Sequence, residues 1–374
     1  MLQVTKILLT NFRNFSSKKI KFSKSLVLFV GKNGVGKTNI LEGLTLFGRN
    51  SSLRGADFEE MILNSSLEKK FTIYSEISNH EFIEKIALSF DLNSKKKVLQ
   101  INEEIINGKR QSDIRGYLIN FIYLNPTLEQ LFILGKSERR NYMDKIVSDL
   151  DFEHNSRVNN YQKLLKERLM ILQKYKFSNE KKTQDKWLDI VENNIVELGT
   201  AIASARIEAI DFFNKAIQSF SSNFPKPKLK VIGEVEEMVL KQSAIQFEEF
   251  YKNKLKENRA QDLANFKTHF GVHRSDFDAI FIEKNISATL CSTGEQKAIM
   301  ISITLARAKI SSTYKNQPTV LIFDEIVSHL DEKRKIDLFE EIAATSLQAF
   351  FSATSVDLIP REFVEKEILD VIDV

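Results

Sequence analysis

The sequence predicts an α/β fold in which a mixed-sheet lobe carries a helical-hairpin arm, and three observations predict it. A short apolar run, Leu26 to Val30, feeds straight into Gly31-Lys32-Asn33-Gly34-Val35-Gly36-Lys37-Thr38, a glycine-rich turn that opens a helical pattern. Apolar and polar residues alternate in successive segments between Phe71 and Ile101. Two long apolar stripes, spaced by threes and fours, then run through residues 155–175 and 191–212.

Bulk properties fit that picture. A chain of 374 residues with 43% hydrophobic residues has room for two or three domains with real cores. No apolar run approaches the roughly 18 residues that span a bilayer, and MLQVTKILLTNF lacks a signal-peptide layout, so a cytoplasmic protein without membrane association is expected. The single cysteine, Cys291, excludes internal disulfides, and the five histidines have no metal-ligand clustering. A net charge of +4 does not by itself argue for nucleic acid. Local basic clusters are more suggestive: Lys18, Lys19 and Lys21, Lys95 to Lys97, Arg139 with Arg140, and Lys181 with Lys182.

In chain order, Val4, Ile7 and Leu9, then Ile20 and Phe22, then Leu26 to Val30 read as strands. The turn that follows matches the P-loop pattern, whose glycines let successive N–H groups and a helix N-terminus face a phosphate. Lys37 would reach the β- and γ-phosphates and the Thr38 hydroxyl would ligate Mg²⁺. Ser52-Leu53-Arg54-Gly55 is loop-like and places Arg54 not far beyond the nucleotide site. FTIYSEIS, KIALSF and VLQI form an antiparallel meander with a turn at Asn93 to Lys96. A short strand, Phe121 to Leu124, ends at Asn125-Pro126.

The first stripe comprises Val158, Tyr161, Leu165, Leu169, Leu172 and Tyr175, with Arg168 outside it. The second comprises Val191, Ile195, Leu198, Ile202, Ala205, Ala209 and Phe212. Joined by the polar segment Ser178 to Asp185, the two predict an antiparallel helical hairpin over about 154–222, ended by Pro225 and Pro227. Its tip carries no Cys-x-x-Cys and so no cysteine zinc hook. A charged helix-like run, Glu248 to Lys267, precedes the turn Gly271 to Asp276.

Ser292-Thr293-Gly294-Glu295-Gln296 opens a helical pattern through Ile310, where a hydroxyl and unobstructed N–H groups suit a second phosphate-binding surface. Thr319 to Phe323 reads as a buried strand ending in Asp324-Glu325. Beside a P-loop, Asp324 is placed to hold Mg²⁺ and Glu325 to polarise an attacking water. Ser328 to Asp331 follows at once, and Ala349-Phe350-Phe351 leads to Ser352-Ala353-Thr354, where a polar side chain is expected to watch the γ-phosphate.

This order of P-loop, signature-like segment and Walker B resembles an ABC-type ATPase head, and more narrowly the chain resembles the RecF family of bacterial recombinational-repair ATPases. The resemblance rests on Leu9 to Asn14, Gly31 to Asn39 with Leu41-Glu42, Asn125-Pro126 with Arg139-Arg140 and Asp144, Gly271 to Phe277, the signature and Walker B. It covers nearly the whole chain. Lys32, the Gly271-Val272-His273-Arg274 turn and Glu295 depart from the family's commoner residues.

The resemblance implies a discontinuous head, residues 1–125 and 286–374, and an arm or lid domain, 126–285. It implies ATP and Mg²⁺ as cofactors, with Gly31, Lys32, Asn33, Gly34, Val35, Gly36, Lys37, Thr38 and Asn39 on the nucleotide. Ser292, Gly294 and Asp331 would complete the site from a second copy in an ATP-dependent homodimer. It further implies single-stranded and gapped duplex DNA as ligand, RecR- and RecO-like repair proteins as partners, and weak DNA-stimulated ATPase activity. Arg54, Arg139, Arg140 and Arg274 are the candidate DNA contacts. An ABC-type ATPase of chromosome organisation or defence, or a transporter's nucleotide-binding subunit, is the alternative.

Overall fold

The computed structural model describes residues 3–48, 53, 55–78, 82–106, 119–175, 181–365 and 368–374. It divides into two compact units, the first made of Met1–Gln130, Ser219–Lys226 and Ser292–Val374, the second of Leu131–Gln218 and Pro227–Cys291.

The first unit holds two sheets. Strands β1 (Gln3–Phe12), β2 (Phe15–Lys21), β4 (Lys70–Ser78), β5 (Ile83–Asp91), β6 (Lys96–Ile101) and β7 (Glu104–Ile106) form an antiparallel sheet in the order β2-β1-β4-β5-β6-β7. Strands β4 and β5 of the meander alternate buried and partly exposed residues, as one covered face requires. Strands β3 (Leu26–Val30), β8 (Asn120–Leu124), β12 (Thr319–Asp324), β13 (Gln348–Ala353) and β14 (Leu369–Asp373) form a parallel sheet in the order β14-β3-β13-β12-β8. Every residue of β12 and β13 is buried, which explains their unbroken apolar runs.

Between the sheets lies a core that includes Ile7, Leu9, Phe12, Val27, Phe29, Leu41, Leu44, Phe71 and Phe350. The P-loop helix, Lys37–Thr45, is drawn tightly into it: a Cβ on Gly43 would stand 2.9 Å from Leu9 Cδ2. Gln348 ties the sheets together, its amide donating to Val4 O and its carbonyl accepting from Val4 N–H, both at 2.8 Å. Segment 219–226, which the sequence places at the end of the arm, belongs to this unit. Ser221 and Ser222 bond the buried Glu341, and Ser302 donates to Pro225 O at 2.6 Å.

In the second unit the two long helices are His154–Tyr175 and Lys181–Gln218. They pack through Tyr161, Leu165, Val191, Ile195 and Val196 against Phe247, Tyr251 and Phe270. Arg168 lies off the apolar stripe, as read, but is fully buried rather than solvated. Its guanidinium bonds Glu192 at 2.9 Å, Asp262 at 2.6 Å and Leu255 O at 2.7 Å. Such a group tolerates burial only because each of its three nitrogens is bonded, and losing one partner costs about 3–5 kcal/mol. The charged run at 248–267 forms two helices, Ala244–Glu257 and Arg259–Asn265. A three-stranded sheet, β11 (Ile286–Ser287), β10 (Asp276–Phe281) and β9 (Lys228–Ile232), completes the unit.

Candidate nucleotide-binding site

Because the strands are parallel, β3, β13, β12 and β8 all end on one side of the sheet, the side on which ligands of open α/β sheets bind. The P-loop leaves β3 there, and β13 alone separates it from the Walker B end of β12.

Two glycines show why the loop needs this sequence. Gly36 has φ +116°, and a Cβ on it would lie 2.5 Å from the Phe15 ring and 2.7 Å from the Asn14 amide. Gly34 has φ +86° and faces open space, so its backbone is free to approach an anion. Asn14 forms the back wall, donating to Val35 O at 2.8 Å and accepting from Asn39 Nδ2 at 2.8 Å. Lys32, Asn33 and Gly34 are exposed, whereas Lys37 is 4% exposed. The Lys37 ammonium rests on Gly31 O at 2.6 Å and Lys32 O at 3.0 Å. A buried cation held by carbonyls is poised to take an anionic partner, because burial is costly for a charge without one.

At the end of β12 the hydrogen bonds form a chain. Thr38 Oγ1 donates to Asp324 Oδ1 at 3.0 Å, and the fully buried Ser352 hydroxyl donates to the same oxygen at 2.7 Å. Ser352 Oγ in turn accepts the Glu325 N–H at 2.8 Å. Glu325 is left-handed, φ 60°, a conformation that costs a non-glycine residue roughly 1 kcal/mol or more. The Ser352 bond helps hold that strained corner. Ser352 therefore orients the Walker B carboxylate. These donors suit a nucleotide with a divalent cation: a hydroxyl and a carboxylate oxygen in one spot, beside a buried ammonium and open loop N–H groups.

The signature helix, Thr293–Lys309, starts at Ser292 with a reciprocal cap. The Ser292 N–H and hydroxyl both lie 2.8 Å from Glu295 Oε2. The family-atypical Glu295 thus does the capping, while Ser292 and Thr293 stand exposed and Gly294 half-buried. Asp331 caps the next helix by accepting the Arg334 N–H at 2.9 Å.

The four candidate DNA-contacting arginines separate. Arg54 lies outside the described residues. Arg139 is a correction: it is buried and bidentate to Asp276, at 2.8 and 2.7 Å, with a third bond to Leu134 O. Burial pushes the Asp276 carboxyl up, but the Arg139 guanidinium outweighs it and holds the group below the usual range. A fork so fully used has no donor geometry left for phosphate. Arg140 is half-buried and gives one N–H to Ser275 O at 3.0 Å. Burial first, then the Arg206 charge and, more weakly, Arg274, lower its hold on its proton. Arg274 is exposed.

The turn that presents Arg274 is built on Gly271, φ +139°, where a Cβ would fall 2.2 Å from the Tyr161 hydroxyl. Tyr161 bonds Tyr251 at 2.8 Å and His273 Nδ1 at 3.2 Å, while His273 Nε2–H donates to Thr268 O at 2.8 Å. Arg206 donates to Val272 O and grips Asp144 with two bonds, at 2.8 and 2.9 Å. Sequence reasoning missed this support, since buried arginines and carboxylates read as surface charge when their partners are 60 or more residues away.

Fold and site together define a P-loop ATPase head of the ABC type. A family model described as an AAA ATPase domain matches residues 3–350. The DNA replication and repair protein RecF of Rickettsia canadensis (strain McKiel) is 32% identical over 357 residues, 94% of each chain. That of Rickettsia felis is 32% identical over 353 residues, 93% of this chain and 92% of its own. Among solved structures, the recombination mediator protein RecF with ATPrS superposes with TM-score 0.74 at 24% identity over 96% of this chain and 94% of its own. An Smc head domain from Pyrococcus furiosus superposes with TM-score 0.55 at 14% identity over 96% and 91%, and shows the shared fold. The chain belongs to the RecF family of DNA replication and repair proteins, and is an ATP-binding ATPase of that family. Among the described residues, no helix is long and apolar enough to cross a membrane.

Proposed function

We propose that this protein is an ATP-dependent DNA-binding protein of recombinational repair and replication restart. Two copies close on ATP and clamp DNA at single-strand gaps or junctions, and slow, DNA-stimulated hydrolysis resets them. The observation that carries the reading is one chain holding two unlike halves of a phosphate site. One half is the buried Lys37 with Thr38 and Asp324; the other is the exposed, capped Ser292-Thr293-Gly294.

In this reading Gly31 to Asn39 wrap the phosphates and Lys37 exchanges its carbonyl partners for phosphate oxygens. Thr38 and Asp324 would hold Mg²⁺, which when bound offsets the charge of the phosphates. Glu325, fixed through its N–H by Ser352, orients and deprotonates the attacking water. Ser292, Gly294 and Asp331 of a second copy close the other side. Since phosphoryl transfer is catalysed mainly by positioning and charge stabilisation, each copy alone is a poor ATPase. Arg140 and Arg274 supply DNA phosphate contacts, and Arg139 holds the fold instead. RecR- and RecO-like proteins are the proposed partners and the cytoplasm the proposed location, in keeping with the RecF relatives and with the RecFOR pathway named for the solved RecF structures.

The test is ATP-dependent retention of gapped duplex by the wild type against Lys37→Ala. Equal retention with and without nucleotide would remove the clamp from the proposal.

A further inference from the structure

A groove of about 680 Å³ opens on the second unit, where the helix Lys136–Ser148 turns into His154–Tyr175 beside the middle of Lys181–Gln218. Its sides are apolar: Val147, Leu150 and Phe152 come from the turn and Phe212 from the long helix. Ala205 and Ala209, one helical turn apart, line it with nothing larger than a methyl group, which leaves the room. Phe152 is 57% exposed, so a full aromatic ring stands at the mouth with water on much of its surface.

The walls are pinned. Asp144 on the first helix accepts two bonds from Arg206 on the long helix, at 2.8 and 2.9 Å, and stands 2.8 Å from His154 Nε2. One buried carboxylate thus fixes all three helices around the groove. In the turn, Asp151 accepts the Glu153 N–H at 3.1 Å and is forked by Arg157 at 2.5 and 3.1 Å. A groove whose walls are set before anything enters costs its occupant little ordering.

Asp151, Glu153 and Glu208 edge the groove. Arg157 offsets one of these charges, and among the described residues no lysine or arginine lines the groove. A negative rim repels phosphate, which excludes DNA and nucleotide as occupants. It matches instead a protein surface whose bulky apolar side chains are ringed by lysine and arginine. The volume holds about two or three such side chains, as a helix presents them at i, i+3 and i+7.

We propose that this groove docks a basic amphipathic helix of a partner protein, with Phe152 as the central contact and Glu208 as the charge that steers the helix in. The inference goes beyond the clamp, since it needs neither ATP nor a second copy.

The test titrates the full chain into a fluorescein-labelled helical peptide with leucine and phenylalanine on one face and lysine on the other, read by anisotropy. Alongside run a scrambled peptide of equal composition, one with glutamate in place of lysine, and a labelled single-stranded DNA. The patterned peptide binds at least about tenfold tighter than either other peptide. Phe152→Ala weakens it about tenfold, and Glu208→Arg about fivefold with a shallower salt dependence, while both variants bind a fluorescent ATP analogue as the wild type does. Should Phe152→Ala not fold, Glu208→Arg, on an exposed helix face, carries the test. Equal binding of the patterned and scrambled peptides, or wild-type affinity in either folded variant, would overturn the inference. So would DNA binding that Phe152→Ala abolishes, which makes the groove a nucleic-acid site, or a nucleotide-free dimer that Glu208→Arg splits, which makes a second copy the occupant.

Discussion

Replacing Ser352 by Ala tests whether the Walker B corner is held as described. The hydroxyl is fully buried, donates to Asp324 Oδ1 at 2.7 Å and accepts from Glu325 N–H at 2.8 Å. Losing the bond to a charged acceptor costs about 1.5–3 kcal/mol, and the stranded Glu325 N–H adds about 1 kcal/mol or more. A net loss of about 3 kcal/mol lowers the melting temperature of a unit of this size by roughly 6–12 °C. Asp324 keeps only Thr38, and Glu325 loses the bond that steadies its left-handed backbone, so ATPase activity falls about tenfold, roughly 1.4 kcal/mol of barrier. Thermal melts and steady-state ATPase at saturating ATP and Mg²⁺ read both effects. A melting temperature within about 1 °C of the wild type together with full activity would refute the account of this corner.

Four other outcomes are expected. Lys37→Ala abolishes nucleotide-dependent pairing, read by light scattering, whereas Glu325→Gln binds ATP but traps the pair, read as slow dissociation after ATP is removed. Arg140→Ala and Arg274→Ala each weaken DNA binding and reduce the slope of log affinity against log salt by about 0.9 on duplex; a flat salt response in the wild type would remove the phosphate contacts. Arg139→Ala instead destabilises the second unit by about 3–5 kcal/mol, read in urea, because Asp276 is left buried and unpaired. Burial lowers His273 from 6.5 to about 4, so the unfolded chain takes up its proton first. Its contribution of up to about 3 kcal/mol is complete above pH 6.5 and is lost as pH falls through about 4; equal pH dependence of the urea midpoint in His273→Gln would contradict this.

The nucleotide site was legible because its elements are local. The P-loop, the signature and Walker B are contiguous runs whose residue order states their geometry, and the meander's turn falls at residues 92–95, one residue before the expected Asn93 to Lys96. The long helices were legible from their stripes: the hairpin read over about 154–222 is His154–Tyr175 and Lys181–Gln218, although the second helix begins ten residues before its first stripe residue, Val191. What stayed hidden depends on pairing across the chain. Arg139 next to Arg140 reads as a basic pair until Asp276, 137 residues away, takes one of them. Arg168 shows only as a residue outside the stripe until Glu192 and Asp262 enclose it. No sequence pattern shows that Ser352 donates to Asp324 or that Lys297 holds Glu129.

Sedimentation of the wild type over a range of concentrations, with and without ATP and Mg²⁺, measured alongside ATPase per chain, tests the clamp most directly. The account predicts one copy without nucleotide, two with it, and activity per chain that rises as copies meet. A single species with ATP, turning over equally fast per chain at every dilution, would contradict it.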